Sequence, residues 1–277
     1  MKLSIITVSL NDKAGLQQSI ESVISQKFRD FEFIVIDGKS SDGSEDIIKK
    51  YADHIDYWVS EPDKGIYDAM NKGIGIAKGE YCFFLNAGDR LSSDDILLKV
   101  FEDDPHESFI SLDFAVMKEE VENIQLYKDR SWDLALYDIY AGFLCHQAFL
   151  IRRDNFAKYG LYDDSLKIIS DWKLFLTAIG VYHEPVIYKN VSLCTVRAGG
   201  VSELADANLI LEEKTKVVKE ILSLPTLQRL NKLYHYESNG YMVDIILSKK
   251  WIHNGFRLFC KIGRACGFLK TAKIERK

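Results

Sequence analysis

Apolar positions in the first ninety residues alternate between two rhythms. Leu3–Leu10 is a short, continuous run rich in β-branched residues, the pattern of a strand buried on both faces of a parallel sheet. Asn11-Asp12 offers a helix cap, after which Leu16, Ile20, Val23 and Ile24 recur at helical spacing as far as Gln26. The cycle repeats. Phe31–Ile36 reads as a strand, Asp37–Ser44 as a loop of turn and cap residues, and Glu45–Tyr51 as a helix. Ile55–Val59 and Ile66–Ala77 form a third pair, and Glu80–Leu85 a fourth strand running into Asn86-Ala87-Gly88-Asp89. Strand and helix alternating over short links predict a doubly wound, mostly parallel sheet. Ligands in such sheets bind beyond the carboxyl ends of the strands, so Ser9, Asp37, Glu61–Lys64 and Asn86–Asp89 are expected around one crevice.

Beyond Asp89 the rhythm changes. A helix is expected near Asp94–Phe101, then β-like segments at Phe109–Met117, Ile124–Lys128 and Leu144–Ile151. Helices follow at Asp154–Tyr159 and Asp171–Ile179, and a β-rich stretch at Val181–Val196. After Gly199-Gly200-Val201-Ser202 the pattern is helical, with Glu203–Leu222 and Thr226–Leu247 leading into the C-terminus. The expected organisation is a domain over 1–202 and a helical extension over 203–277.

Composition is that of a folded protein: of 277 residues, 47% are hydrophobic and 28% charged, which removes disordered and collagen-like classes. The formal net charge of −5 hides a division. Residues 249–277 hold nine basic residues and one acid, a net +8, which leaves −13 for the rest. Trp251, Ile252, Phe256, Phe259 and Phe268 are interleaved with those cations, as in a helix lying on an anionic membrane surface; a solvated helix packed on the protein body is the competing reading. The acidic body argues against nucleic acid as a partner. Five scattered cysteines without metal-type spacing fit a reducing, cytoplasmic setting, and neither a secretory signal nor a spanning segment is recognisable.

Gly73-Ile74-Gly75-Ile76-Ala77-Lys78-Gly79 is not a dinucleotide fingerprint, because it precedes a strand instead of following one; close packing of a helix on the sheet explains it better. No GxxxxGK[ST] is present. Instead, Ser4-Ile5-Ile6-Thr7-Val8 with Asn11, the Ser19–Val23 segment, Glu32–Gly38 with Ser41–Ser44, and Gly79–Tyr81 with Phe84–Asp89 resemble family 2 glycosyltransferases of the GT-A fold. His146-Gln147-Ala148, Lys158–Asp163 and Ser170-Asp171-Trp172 resemble the acceptor half of bacterial polysaccharide enzymes in that family.

The resemblance implies a site. Thr7, Ser9 and Asp37 would hold the base and ribose of a nucleotide-diphosphate sugar, UDP favoured, with Asp63 and Lys64 closing the pocket and Asn86 at its floor. Turn-forming Asp37 and solvated Lys64 are the competing readings. The family's Asp-x-Asp element is reduced here to Asp89, the candidate ligand for Mg²⁺ or Mn²⁺. Either that metal is held mainly by substrate, or cations such as Lys64 and Arg197 share the diphosphate charge. Arg197 precedes Gly199-Gly200, a pair suited to a lid or, equally, to a simple turn. Asp171 would be the general base of an inverting transfer, although as the start of a helix it could equally be a cap. His146, Gln147 and Trp172 would bind acceptor, with Trp172 heading an apolar stripe that also suits a core position. The implied activity is sugar transfer to a saccharide acceptor, lipid-linked to account for the basic tail, in surface-polysaccharide synthesis. A sugar nucleotidyltransferase would need a Gly-rich basic loop after the first strand, which Ser9–Asp12 lacks. A carbohydrate- or membrane-binding scaffold stays open because the metal motif is depleted.

Overall fold

In the computed structural model, β1 (Leu3–Ser9) is buried at every position. It runs between β2 (Phe31–Asp37) and β4 (Tyr81–Phe84), parallel to both. Fully apolar strands are the ones that can occupy such a place, since each buried Leu, Ile or Phe contributes about 1.5–3 kcal/mol. β3 (Tyr57–Ser60) adds parallel to the outer side of β2. The crossovers are α1 (Lys13–Ile24), α2 (Ser44–Lys50) and α3 (Ile66–Ile76). The register aligns Ser9 with Asp37 and Asp37 with Ser60, so three polar residues end adjacent strands in a row.

Two glycines of the Gly73–Gly79 segment, Gly73 and Gly79, are packing residues, whereas Gly75 faces open space. A Cβ on Gly73 would lie 2.5 Å from Ile6 Cγ2, and one on Gly79 would lie 2.5 Å from the Leu3 carbonyl carbon. That closeness brings α3 down onto β1.

The remaining elements of this half are β5 (Arg90–Leu91), α4 (Ile96–Val100), β6 (Phe109–Lys118), β7 (Val121–Asn123), α5 (Leu136–Ala141) and β8 (Phe149–Arg152). They are followed by α6 (Asp154–Tyr159), α7 (Ser170–Phe175), β9 (Val186–Arg197) and α8 (Ala207–Ile221). The described sheet is mixed, in the order β3-β2-β1-β4-β8-β6-β9-β5 with β7 on β6. β8 is antiparallel to β4 and β6, whereas β6 and β9 are parallel. The structure describes residues 1–118, 121–123, 136–141 and 144–235. The strand expected at Ile124–Lys128 falls outside the described residues, as does the basic segment 249–277.

Four expectations shift. The strand expected at Leu144–Ile151 narrows to β8, because His146–Ala148 forms a 3₁₀ turn ahead of it. The stretch beginning at Val181 becomes a strand only at Val186, after a π-helical turn at Leu176–Val181. The two-residue β5 carries no periodic signal and is missing from the sequence reading. The helix expected from Glu203 starts at Ala207, where Asp206 Oδ1 accepts the Asn208 N–H at 2.9 Å.

The chain forms two compact units, Met1–Ile221 and Leu222–Lys277, so α8 belongs with the sheet and not with the extension expected from residue 203. Its buried Glu213 supplies a reason: the carboxylate accepts the backbone N–H groups of Lys167 at 2.7 Å and Ile168 at 3.1 Å. In the second unit, residues 224–235 are helical. Among the described residues no helix is long and apolar enough to cross a membrane.

Candidate active site

Asp171 opens α7 beside a cavity of about 420 Å³ whose lining also includes Asn86, His146, Gln147 and Arg197. Both of its carboxylate oxygens are held. Oδ2 lies 2.9 Å from His146 Nδ1, and Oδ1 accepts the Tyr67 hydroxyl at 2.9 Å. Tyr67 Oη is also 2.6 Å from the Ile168 carbonyl, so one hydroxyl proton has two acceptors within reach. Burial, then the charge of Asp171, holds the Tyr67 phenol protonated well above its ordinary range. Asp171 and His146 remain only 13% and 11% exposed. His146 Nδ1 faces Asp171, while its Nε2 is buried and without a hydrogen-bond partner. His146 and Gln147 therefore reach the cavity from the 3₁₀ turn and not from a strand.

Trp172 does not. It is 1% exposed, its indole N–H donates to the Ile139 carbonyl at 2.8 Å, and Lys214 Nζ lies 4.9 Å from a ring centroid on it. Helical periodicity turns Trp172 inward when Asp171 faces the cavity, so the acceptor-binding expectation for Trp172 is corrected to a core role.

At the strand ends, Thr7 Oγ1, Ser9 Oγ and Asn86 Oδ1 are buried without partners. Buried polar atoms are paired in most native structures, so these exceptions toward the carboxyl edge of a parallel sheet make it a candidate ligand site. Asp37 is different. It is fully buried, accepting the Ser40 N–H at 3.0 Å and the Ser60 hydroxyl at 2.6 Å on Oδ2, with the Ser40 hydroxyl on Oδ1. It orders the loop after β2, and three of the carboxylate's four acceptor positions are already taken. Asp63 rests on Gly38, where a Cβ would lie 2.4 Å from Asp63 Oδ2, and accepts the Gly65 N–H at 3.1 Å. Burial raises its pKa. Lys64 is 79% exposed, with its ammonium 3.7 Å from Asp164 Oδ2; it is not among the cavity-lining residues.

The Asn86–Asp89 turn is fixed from below by Ser19, which accepts the Gly88 N–H at 3.0 Å and donates to the Asp89 carbonyl at 2.6 Å. Asp89 Oδ1 accepts the backbone N–H of Arg197 at 2.9 Å, while Oδ2 is buried and unpartnered. The Arg197 guanidinium lies over Gly88 and is gripped by Asp12 through both terminal nitrogens. These residues do not fit a protein-held Mg²⁺ or Mn²⁺. Among the described residues no three His, Cys, Asp or Glu side chains are grouped to hold a metal, Asp89 has one oxygen committed, and a guanidinium sits at the neighbouring position.

Burial pushes the Asp89 carboxyl up to about 6, against the opposing pull of the Arg197 N–H, the charge of His146, the Gln147 side chain and the Arg197 charge. Between its unfolded value and about 6 the native state binds the extra proton, so this group's contribution to stability is present below that window and lost as pH rises through it. Above pH 6 the charged form costs on the order of 2–3 kcal/mol. Asp89→Asn should accordingly raise the melting temperature at pH 7.5 and have no such effect at pH 4. Thermal melts at both pH values check this, and an unchanged melt at pH 7.5 would show that the charge is compensated.

Tyr67, Ser19, Glu213 and Asp12 escape the sequence reading as site residues. Their partners are remote in sequence, as in the 104-residue separation between Tyr67 and Asp171; only the capping role of Asp12 has a local signature.

The family model for glycosyl transferase family 2 matches residues 4–160. An uncharacterised glycosyltransferase of Mycobacterium tuberculosis is 34% identical over 202 residues, covering 72% of this chain and 76% of the relative. A PGL/p-HBAD biosynthesis glycosyltransferase of Mycobacterium bovis is 30% identical over 258 residues, 90% of each chain. Among solved structures, S. aureus TarS 1-349 in complex with UDP-GlcNAc is similar at TM-score 0.67 and 16% identity, covering 90% of this chain and 78% of that one. A Pyrobaculum calidifontis mannosyltransferase in complex with GDP-Man and Mn²⁺ is similar at TM-score 0.61 and 16% identity, covering 97% and 76%. The match over more than half of the chain, with relatives at 30% identity or above, makes this protein a member of glycosyl transferase family 2, a glycosyltransferase of the GT-A fold.

Proposed function

We propose that the enzyme transfers a sugar, with inversion, from a nucleotide-diphosphate donor to the hydroxyl of an acceptor carrying an apolar portion, in the assembly of a bacterial surface polysaccharide or glycolipid. The observation that carries this reading is Asp171 at the cavity wall, with one oxygen held by His146 and the other by Tyr67. The acceptor oxygen attacks the anomeric carbon, the bond from that carbon to the diphosphate breaks with its electron pair leaving on phosphate, and the proton passes to Asp171. Tyr67 donates to Oδ1 while Asp171 is ionised and can turn its hydroxyl to the Ile168 carbonyl once Asp171 is protonated, giving the base a partner in both states. His146 fixes the carboxylate's orientation.

Thr7, Ser9 and Asn86 are the groups available to the donor's nucleoside side, and Asp89 is placed to steer Arg197. Similar structures carry UDP-GlcNAc and GDP-Man, which supports a nucleotide sugar as donor; UDP is favoured on the TarS complexes. For the acceptor, the cavity lining combines polar groups such as His146, Gln147 and Asp171 with an apolar set, Leu112, Phe114, Val116, Leu144 and Phe149. A purely saccharide acceptor would leave that apolar set unused. The PGL/p-HBAD naming of relatives at 30% identity agrees with a glycolipid setting.

Release of nucleotide from a panel of UDP, GDP and dTDP sugars tests the reading. One sugar nucleotide should be hydrolysed slowly and faster with acceptor; no turnover of any would favour a binding scaffold. The basic, aromatic-rich segment 249–277 supports docking to an anionic leaflet, each cation adding about 1 kcal/mol. The full chain should float with phosphatidylserine vesicles at low salt and stay behind when residues 249–277 are removed.

A further inference from the structure

Gly88 directly precedes Asp89, and something else occupies the space a side chain at residue 88 would fill. A Cβ built on Gly88 would lie 2.5 Å from Arg197 Cζ, 2.6 Å from Nε and 2.7 Å from Nη2. The guanidinium therefore sits where a side chain of residue 88 would begin. Gly88 has φ +95°, which also favours glycine, so backbone and packing make the same demand.

Arg197 is held in place from two directions. Its backbone N–H is bound by Asp89 Oδ1 at 2.9 Å, and Nη1 and Nη2 both donate to Asp12, the N-cap of α1. Of the five N–H donors of a guanidinium, those two are committed and three remain. The side chain lines the cavity with Asn86 and Asp171.

We infer that Arg197, seated on Gly88, neutralises the leaving diphosphate in the place where a carboxylate-held divalent cation would otherwise act. This rests on the nucleotide-sugar reading above. Gly88 and Arg197 are then one device: the missing side chain makes room for the cation, and Asp12 and Asp89 aim it. A guanidinium suits this task because it binds phosphate oxygens bidentately and keeps its charge at any working pH.

Calorimetric titration of the full chain with UDP, GDP and dTDP, each in EDTA and in Mn²⁺, tests the inference. One diphosphate should bind in EDTA, with Mn²⁺ tightening it less than about threefold. Arg197→Ala should weaken that binding by tenfold or more, with Arg197→Lys intermediate. Gly88→Ala should weaken it comparably by displacing the guanidinium, and the double variant should be no worse than either single one, because the two act through one group. Melting curves show whether each variant is folded; Arg197→Lys keeps the test open if Gly88→Ala is not. Binding that requires Mn²⁺, or additive losses in the double variant, overturns the inference alone. Failure of all three nucleotides in both buffers overturns the donor reading itself.

Discussion

Asp171→Asn should slow sugar transfer by about 10²–10⁴-fold, the range over which a positioned general base acts. Asparagine keeps the shape of the side chain and one oxygen to accept from Tyr67, and it still starts α7, so the fold should be undisturbed. What is lost is the oxygen proposed to take the acceptor's proton. Steady-state rates with saturating donor check the loss, and a melt unchanged within a degree or two separates it from unfolding. The nucleotide affinity should be retained, since the residues offered to the donor lie on β1, the Asn86–Asp89 turn and the end of β9. A variant that transferred sugar at the wild-type rate would exclude Asp171 as the base.

Trp172→Ala should cost about 3–5 kcal/mol of stability, the range for emptying a buried aromatic site. Trp172 is among the largest fully buried side chains, and its N–H satisfies the Ile139 carbonyl, which would be left without that partner. Chemical denaturation should show a lower midpoint with a similar slope. The residue directly before it in the chain faces the cavity, so the two neighbours make opposite forecasts: loss of rate at 171, loss of stability at 172. A Trp172 that bound acceptor would instead raise KM and leave the midpoint alone.

The central parallel strands were legible because β1, β2 and β4 are buried almost throughout and read as short runs rich in β-branched and aromatic residues. β1 and β2 agree with expectation to within a residue at nearly every end. The second half was less so. A 3₁₀ turn at His146–Ala148 and a π turn at Leu176–Val181 have no period that binary patterning detects, and each displaced the start of a strand. The site divides in the same way. Asp171, His146 and Gln147 line the same cavity and were suggested by the family resemblance, whereas Tyr67 lies in a helix whose sequence indicates only burial. Asp37 illustrates the opposite limit: its position at a strand end invited a ligand role, but the Ser40 and Ser60 that engage it are also what a turn requires. The place of Arg197 depended on what was absent at residue 88, which only three-dimensional packing reveals.

Tyr67 belongs to α3, in the half built on the parallel strands β1–β4, yet it reaches the carboxylate of the other half. Recombination between relatives has therefore a hidden seam. A chimera that imports a new acceptor half to change the product would keep its own base but inherit the host's residue 67, and a host with phenylalanine there would leave that base one hydrogen bond short. Productive exchanges should be those in which position 67 travels with position 171.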